Sequence, residues 1–472
     1  PDRGNYQKGS LTIVPAPIEE GTDYEVYADS LYRDGNGTLW VRAGTWVSIV
    51  PREGSGYNQG MDWGPVTKNE AFSFTLKKVD GKGAVVADSL EGQLQVQADG
   101  EVPQAGFSIA GAQQSGDCYY GKPGVSVTIQ IPRDEQSGMK SARYFVSGYG
   151  EENTGKEGEE NWWHDCRDGE TLTLRKEGSY EICVHTEDYT GNQAYAKSAV
   201  IVIDGQGPEL KISGVSDRSA NDGAVQISVS CSDPNYRQGS LEIEMEGANG
   251  GEGPRELSRE ETAAGALASF ADFPRILRWD DSYVLTAKAD DLAGNETRTR
   301  ISFSVNRFGS VYDLAEETKT ALESFYHTVP FPVVFLETNV DYVGEAQIIC
   351  MRNGEAKTLV QGRDYTARLE AEAGRKQYRY TVSPQVFEED GAYEVILLSR
   401  DRASNSSDSL AQQKMVRFFM DRTPPQCLIT GVSNGEICQV RELWICLEAR
   451  DNGALESLEV YADGVRAVSC TG

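Results

Sequence analysis

Polar and apolar residues alternate along most of this chain in short runs, each cut off by Gly, Asp, Asn or Pro. A period of two marks a half-buried β-strand, in which every second side chain faces a core. The clearest run spans 180–192, YEICVHTEDYTGN, with Tyr180, Ile182 and Val184 on one face. It returns at 283–295 as YVLTAKADDLAGN (Tyr283, Leu285, Ala287) and at 393–405 as YEVILLSRDRASN (Tyr393, Val395, Leu397). In each copy Tyr to Asp is eight residues and Asp to Asn is four. Asp can accept hydrogen bonds from a turn's own N–H groups, and Gly and Asn tolerate positive φ. The pattern predicts a strand, a tight acid-tipped turn and a returning strand.

The returning strands set the domain period. Each ends on a polar residue with apolar positions one, three and five residues before it: Asp99, Asp204, Asn306 and Asp421. The intervals are 105, 102 and 115 residues, the length of one β-sandwich. Pro103, Pro208 and Pro425 each follow at plus four and would stop the ladder. The expected units are 1–101 (a divergent β-sandwich without the Asp-Gly-Asn hairpin), 102–206, 207–308, 309–423 and a partial domain, 424–472. Half a sandwich cannot bury its own face, so the last piece should be poorly ordered or docked on a neighbour. Two segments read as helix: 257–271, with a Ser258/Glu261 capping box, and 311–325, with Val311, Leu314, Leu322 and Phe325 on one face. The second would precede a first strand at PVVFLETNV. Tyr180, Tyr283 and Tyr393 stand where the hydroxyl of a tyrosine corner ties back to upstream backbone.

Composition narrows the class. At 472 residues the chain is too long for one core, and 49 glycines with little helical periodicity favour an all-β protein. A net charge of −28 argues against nucleic acid and against an anionic membrane surface. No apolar stretch approaches the ~18 residues needed to span a bilayer. Pro1 opens the chain without an initiator Met and Gly472 stops within a pattern, so a segment of a longer protein is expected. Of nine cysteines, Cys231, Cys350 and Cys446 lie in apolar strands and read as small buried hydrophobes. Cys166 with Cys183, or Cys427 with Cys438, have spacings compatible with disulfides, which spacing does not decide.

Asp188-Tyr-Thr-Gly191-Asn192, Asp291-Leu-Ala-Gly294-Asn295 and Asp421-Arg-Thr-Pro-Pro425 resemble the motifs of bacterial Ig-like repeats, over about residues 102–472. The resemblance implies tandem immunoglobulin-like β-sandwiches in an elongated array, on an extracellular, cell-surface protein or adhesin anchored through other regions. It also permits calcium, which stiffens some such repeats. Ser404 in place of Gly, and Phe308-Gly-Ser-Val-Tyr in place of the Pro junction, depart from the pattern and break the uniformity of the array there.

Two constellations could carry chemistry. In a sandwich of this kind the turn joining the last two strands and the turn after the second strand lie at the same end. That would gather Asp99, Asp134 and Asp188 at one junction, Asp204, Asp233 and Asp291 at the next, and the less charged Asn306, Asn353 and Asp401 at the third. Clustered hard oxygens suit Ca²⁺; the alternative is that each Asp caps its own turn. Trp162, Trp163, Tyr119 and Tyr120 could form a glycan-stacking surface, or could simply pack. Catalysis has little support: three histidines lack any HExxH spacing, and no GxSxG elbow or Walker loop occurs. The sequence therefore predicts a non-catalytic stalk or adhesion segment whose partner is a host or microbial surface glycan or protein. The competing reading is an accessory carbohydrate-binding segment of a larger secreted enzyme.

Overall fold

The computed structural model describes residues 17–86, 90–148 and 163–471. Two compact units emerge: Pro1–Gln206 with Leu292–Asn295, and Gly207–Asp291 with Glu296–Gly472. Both are β-structure, as the alternation predicts.

The strand order is easiest to follow in residues 207–308. One sheet runs Glu209–Ser213, Ser228–Ser232, Gly265–Phe270, Glu256–Thr262; the other runs Ser219–Asn221, Glu296–Val305, Asp281–Asp290, Glu242–Gly247. These are the two facing sheets of an immunoglobulin-like sandwich. Their inward residues, among them Val229, Ala268, Tyr283, Leu285, Phe303 and Val305, form one core. In residues 309–423 the same order recurs, with Val311–Leu314, Val333–Asn339, Lys376–Val382 and Tyr365–Ala371 against a second sheet centred on Gly391–Asp401. In residues 102–206 the long strand Cys118–Gln130 serves both layers. Its first residues pair in parallel with Val200–Ile203, and its later ones pair antiparallel with Thr171–Leu174. The first domain also closes two sheets, of three and four strands, around Val41, Val47, Ile49 and Val96.

The three tyrosines do what their position predicts. Each is at most 3% exposed and donates its hydroxyl to a backbone carbonyl four residues upstream. The ties are Tyr180 to Lys176 at 2.9 Å, Tyr283 to Trp279 at 2.9 Å and Tyr393 to Glu389 at 2.8 Å.

Both helix expectations need correction. Residues 257–271 form the hairpin Glu256–Thr262 and Gly265–Phe270. The capping-box residues Ser258 and Glu261 point outward on an edge strand, while Ala266 and Ala268 bury against the facing sheet, so tertiary packing overrides the local helical signal. In 311–325 only Glu316–Ala321 is helical, and Val311–Leu314 is a strand paired with Val333–Asn339. The first strand of that domain therefore lies one element earlier than the sequence suggested. The nine cysteines are all free. Cys231 and Cys350 are buried as expected, whereas Cys446 is exposed. Residues 424–471 form two separate two-stranded sheets with exposed side chains, Trp444 and Ile437 among them, and touch the preceding domain where Asn452 Nδ2 donates to Asp390 Oδ2 at 2.7 Å.

Candidate metal centre

The junction of the first two domains is built from three strand ends. Leu90–Asp99 closes the first domain; in the second, Asp134 follows Cys118–Gln130 and Asp188 ends Gly178–Asp188. Antiparallel pairing brings the last two to one end of the sandwich, facing the incoming chain. Asp99 and Asp188 are fully buried and Asp134 is 7% exposed. One oxygen of each lies within 4.8 Å of the other two.

Each carboxylate is oriented by local hydrogen bonds. Asp99 accepts the N–H of Glu101 at 3.0 Å and of Ser137 at 3.1 Å. Asp188 accepts the N–H of Asn192 at 2.9 Å, the Thr190 hydroxyl at 3.0 Å and Asn192 Nδ2 at 2.7 Å. Asp134 Oδ1 accepts the Gln136 N–H at 2.8 Å, but its Oδ2 is buried with no partner, as is the neighbouring Ser137 hydroxyl. Burial raises the Asp134 carboxyl above its ordinary range and the Asp99 and Asp188 charges add to that, against the pull of the Gln136 N–H. Hydrogen bonds therefore reach both oxygens of Asp99 and both of Asp188, and Asp134 Oδ2 alone of the six goes without. Direct contacts also cross this junction: Asn192 Nδ2 to the Asp99 carbonyl at 3.3 Å, Gly100 N–H to Gln136 Oε1 at 3.1 Å, and a Tyr32–Tyr189 stack at 4.2 Å.

Of the second triad, Asp233 and Asp291 belong to the second unit, and Asp204 follows Val200–Ile203, the last strand of the first. Asp233 repeats the local geometry of Asp134, accepting the N–H of Asn235 two residues on at 2.6 Å. Asp291 is fully buried.

The third set is only partly right. Asn306 and Asp401 do meet, with Asn306 Nδ2 donating to Asp401 Oδ2 at 2.7 Å. Asn353 is elsewhere, in a hairpin turn at φ 50°, where its Oδ1 accepts the Ala392 N–H. Its expected place is taken by Asn339 and Asp341, which sequence reasoning missed. Had Val311–Leu314 been recognised as the opening strand, Asn339 would have stood out as the end of the second.

The aromatic set divides. Trp162 lies outside the described residues. Tyr119 turns inward onto the core, and its hydroxyl donates to Gln114 at 3.3 Å. Tyr120 is its outward neighbour on the same strand; its hydroxyl is raised by burial, then by nearby Cys118. Neither joins Trp163. Trp163 instead covers the outer sheet face, edge-on to Phe145 at 4.7 Å and near His185 at 6.0 Å. His185 stacks on Tyr195 at 4.4 Å, and Tyr195 is 69% exposed. These partners come from separate strands and had no linear signature.

No family model matches the chain, and no curated protein matches it in sequence. Solved structures similar to it include Dpr2 Ig1-Ig2 in complex with DIP-Theta Ig1-Ig3, at 12% identity over 68% of this chain and 99% of that one, TM-score 0.32. Another is the Ca²⁺-stabilized adhesin with which an Antarctic bacterium binds ice, at 14% identity over 84% and 99%, TM-score 0.23. The Escherichia coli adhesin FdeC matches at 11% identity over 67% and 96%, TM-score 0.24. The neighbours are Ig-like and fibronectin-like repeat domains, bacterial adhesins among them. The strand order and the tyrosine ties carry the immunoglobulin-like fold. No helix among the described residues is long and apolar enough to cross a membrane.

Proposed function

We propose that the chain is a non-catalytic spacer or adhesion segment of an extracellular surface protein, in which a calcium ion fixes the first domain junction. The observation that carries this reading is the buried trio Asp99, Asp134 and Asp188, with oxygens within 4.8 Å and Asp134 Oδ2 unpartnered. Three carboxylates without a nearby Lys or Arg partner in their hydrogen-bond sets call for a hard cation, and a six- to eight-oxygen shell of carboxylates, carbonyls and water is what Ca²⁺ takes. Such a site binds when extracellular calcium is high and holds two sandwiches in one relative orientation. The test is calorimetric titration of the intact chain with Ca²⁺, alongside melting in Ca²⁺ and in EDTA, for wild type and Asp188→Asn. Binding heat and a raised melting temperature that weaken in Asp188→Asn are expected; identical curves in Ca²⁺ and EDTA reject the site.

A second reading, a carbohydrate-binding accessory segment, is favoured by the outer-face group Phe145, Trp163, His185 and Tyr195, whose exposed Tyr195 ring could stack on a sugar. A glycan array with wild type and Tyr195→Ala separates the readings: a signal lost in the variant supports the binder, and no signal supports the spacer.

A further inference from the structure

We propose that the junction between residues 207–308 and 309–423 is latched by carboxamides standing where the first junction has carboxylates, so that it holds without a metal ion. Both domains belong to the second unit. The strand ends are equivalent. Asn306 replaces Asp99 at the end of the last strand, Asn339 replaces Asp134 at the end of the second, and Asp401 keeps the role of Asp188.

The hydrogen bonds account for every polar atom of the set. Asp401 Oδ2 accepts from three amides: Asn306 Nδ2 at 2.7 Å, Asn405 Nδ2 at 3.0 Å and Asn339 Nδ2 at 3.2 Å. Its Oδ1 accepts the Asn405 N–H at 2.9 Å. Asn339 Oδ1 accepts Asn306 Nδ2 at 2.8 Å and the Asp341 N–H at 2.9 Å, and Asn306 Oδ1 accepts the Gly309 N–H at 3.2 Å. A second acid, Asp341, is held separately, accepting the Ser304 hydroxyl at 2.7 Å and pairing with Arg402 at 3.2 Å. Asn306, Asn339, Asp341 and Asp401 are all buried, and among the described residues none has an unpartnered side-chain atom.

The amide orientations are forced. Turning Asn306 over would set its oxygen against the Asp401 carboxylate and its NH₂ against the Gly309 N–H. N–H groups therefore fill the space in which a cation would have to bind, and each supplies the partial positive charge that an ion supplies elsewhere. Further ties cross the same junction: Asn405 Nδ2 to the Asn306 carbonyl at 2.6 Å, Ser282 hydroxyl to the Val340 carbonyl at 2.8 Å, and Arg375 N–H to Asn249 Oδ1 at 3.0 Å. The linker itself is fixed, since the N–H groups of Arg307 and Phe308 both donate to Asp280 Oδ2, at 2.6 and 2.9 Å. This is the junction where the Pro motif gives way to Phe308-Gly-Ser-Val-Tyr. A segment built this way has one junction that answers to calcium and one that does not.

Residue-resolved hydrogen–deuterium exchange on the intact chain tests the latch. Wild-type peptides covering 306–310, 339–342 and 401–405 should exchange at the same rate in millimolar Ca²⁺ and in EDTA. In Asn306→Asp, which places a carboxylate against Asp401, the same peptides should exchange roughly tenfold faster in EDTA and slow again on adding Ca²⁺. Wild-type peptides at this junction that accelerate in EDTA would overturn the latch, as would an Asn306→Asp chain indistinguishable from wild type in EDTA. Peptides covering 99–101, 134–138 and 188–192 report separately on the first junction. If they ignore calcium, the cation reading above falls while the latch stands.

Discussion

Asp134→Asn should make the protein more stable in EDTA and less responsive to calcium, two effects of opposite sign from one atom pair. The side chain keeps its shape and its Oδ1, which accepts the Gln136 N–H at 2.8 Å. What changes is the charge facing Asp99 and Asp188. Two unit charges at the 4.8 Å limit of this cluster repel by about 3.5 kcal/mol at an effective dielectric of ~20. Asp134 faces two such neighbours, so without a cation its ionised form is disfavoured, by burial first and then by their charges. Holding a proton at pH 7 on a carboxyl whose unfolded value is ~3.9 costs at most about 4 kcal/mol, which caps the penalty the substitution can remove. Allowing for screening and side-chain adjustment, a gain of about 1–3 kcal/mol in EDTA is expected.

The pH dependence has a definite sign. Burial, and then Asp99 and Asp188, raise the folded Asp134 carboxyl above its unfolded value. Its contribution to stability is therefore complete below the unfolded value and is lost as pH rises through the raised folded one. In EDTA the wild-type chain should weaken across that window and Asp134→Asn should not. Calcium reverses the preference by favouring the ionised form, so wild type should regain stability with pH and the variant should not. Urea unfolding of both chains at several pH values, in EDTA and in Ca²⁺, reads all four arms. A variant that is less stable than wild type in EDTA, or that gains as much from calcium, would refute the argument that these charges oppose one another.

Four other outcomes follow from the packing. Tyr283→Phe removes the hydroxyl bonded to the Trp279 carbonyl at 2.9 Å and should cost about 1–3 kcal/mol by urea unfolding; an unchanged midpoint would show the tie to be ornamental. Glu337→Gln should cost a similar ~1–3 kcal/mol, because the fully buried carboxylate accepts both Tyr380 at 2.6 Å and Ser399, and an amide can accept only on one side. Gly265→Ala should cost at least ~1–3 kcal/mol in strain, since the residue sits at φ +147° and a Cβ would lie 2.1 Å from the Cys231 carbonyl oxygen; loss of soluble protein or a lowered midpoint checks it. Burial pushes the Cys231 and Cys350 thiols up to about 11, so a thiol reagent at pH 8 should leave both unmodified in the folded chain while labelling exposed Cys427, Cys438, Cys446 and Cys470.

Much of the fold was legible because it is written in local terms. Tyr180, Tyr283 and Tyr393 each head a strand whose alternation and acid-tipped turn lie within thirteen residues, and the structure keeps strand, turn and hydroxyl tie together. The convergence of Asp99, Asp134 and Asp188 was legible too, since the ends of repeated strands can be counted. What failed was where local and tertiary signals disagree. Val311–Leu314 carries helix-compatible spacing but is claimed by pairing with Val333–Asn339, and that shift by one element hid Asn339 and put Asn353 in its place. Residues 257–271 likewise obey a capping box only until Ala266 and Ala268 find a sheet to bury against. The aromatic surface was misread for a related reason. Phe145 and His185 meet Trp163, and Tyr195 meets His185, through register across three strands, which adjacency in sequence does not report.

The Asp99 and Asn306 junctions pose one electrostatic problem and reach different answers. A sandwich whose strand ends converge on its neighbour brings polar turn residues into a buried space, where each must find a counter-charge or a donor. Carboxylates at all three positions leave Asp134 Oδ2 without a partner, and in the proposed reading an ion from the surroundings would supply it. Exchanging two of them for Asn brings the donors within the chain, and Asp401 gathers three amides in place of an ion. The choice between a junction governed by its surroundings and one that is permanent thus comes down to an oxygen or a nitrogen at two side-chain positions. Asn306→Asp and Asp134→Asn approach that choice from opposite sides, and a shared mechanism requires that the first acquire a calcium dependence which the second gives up.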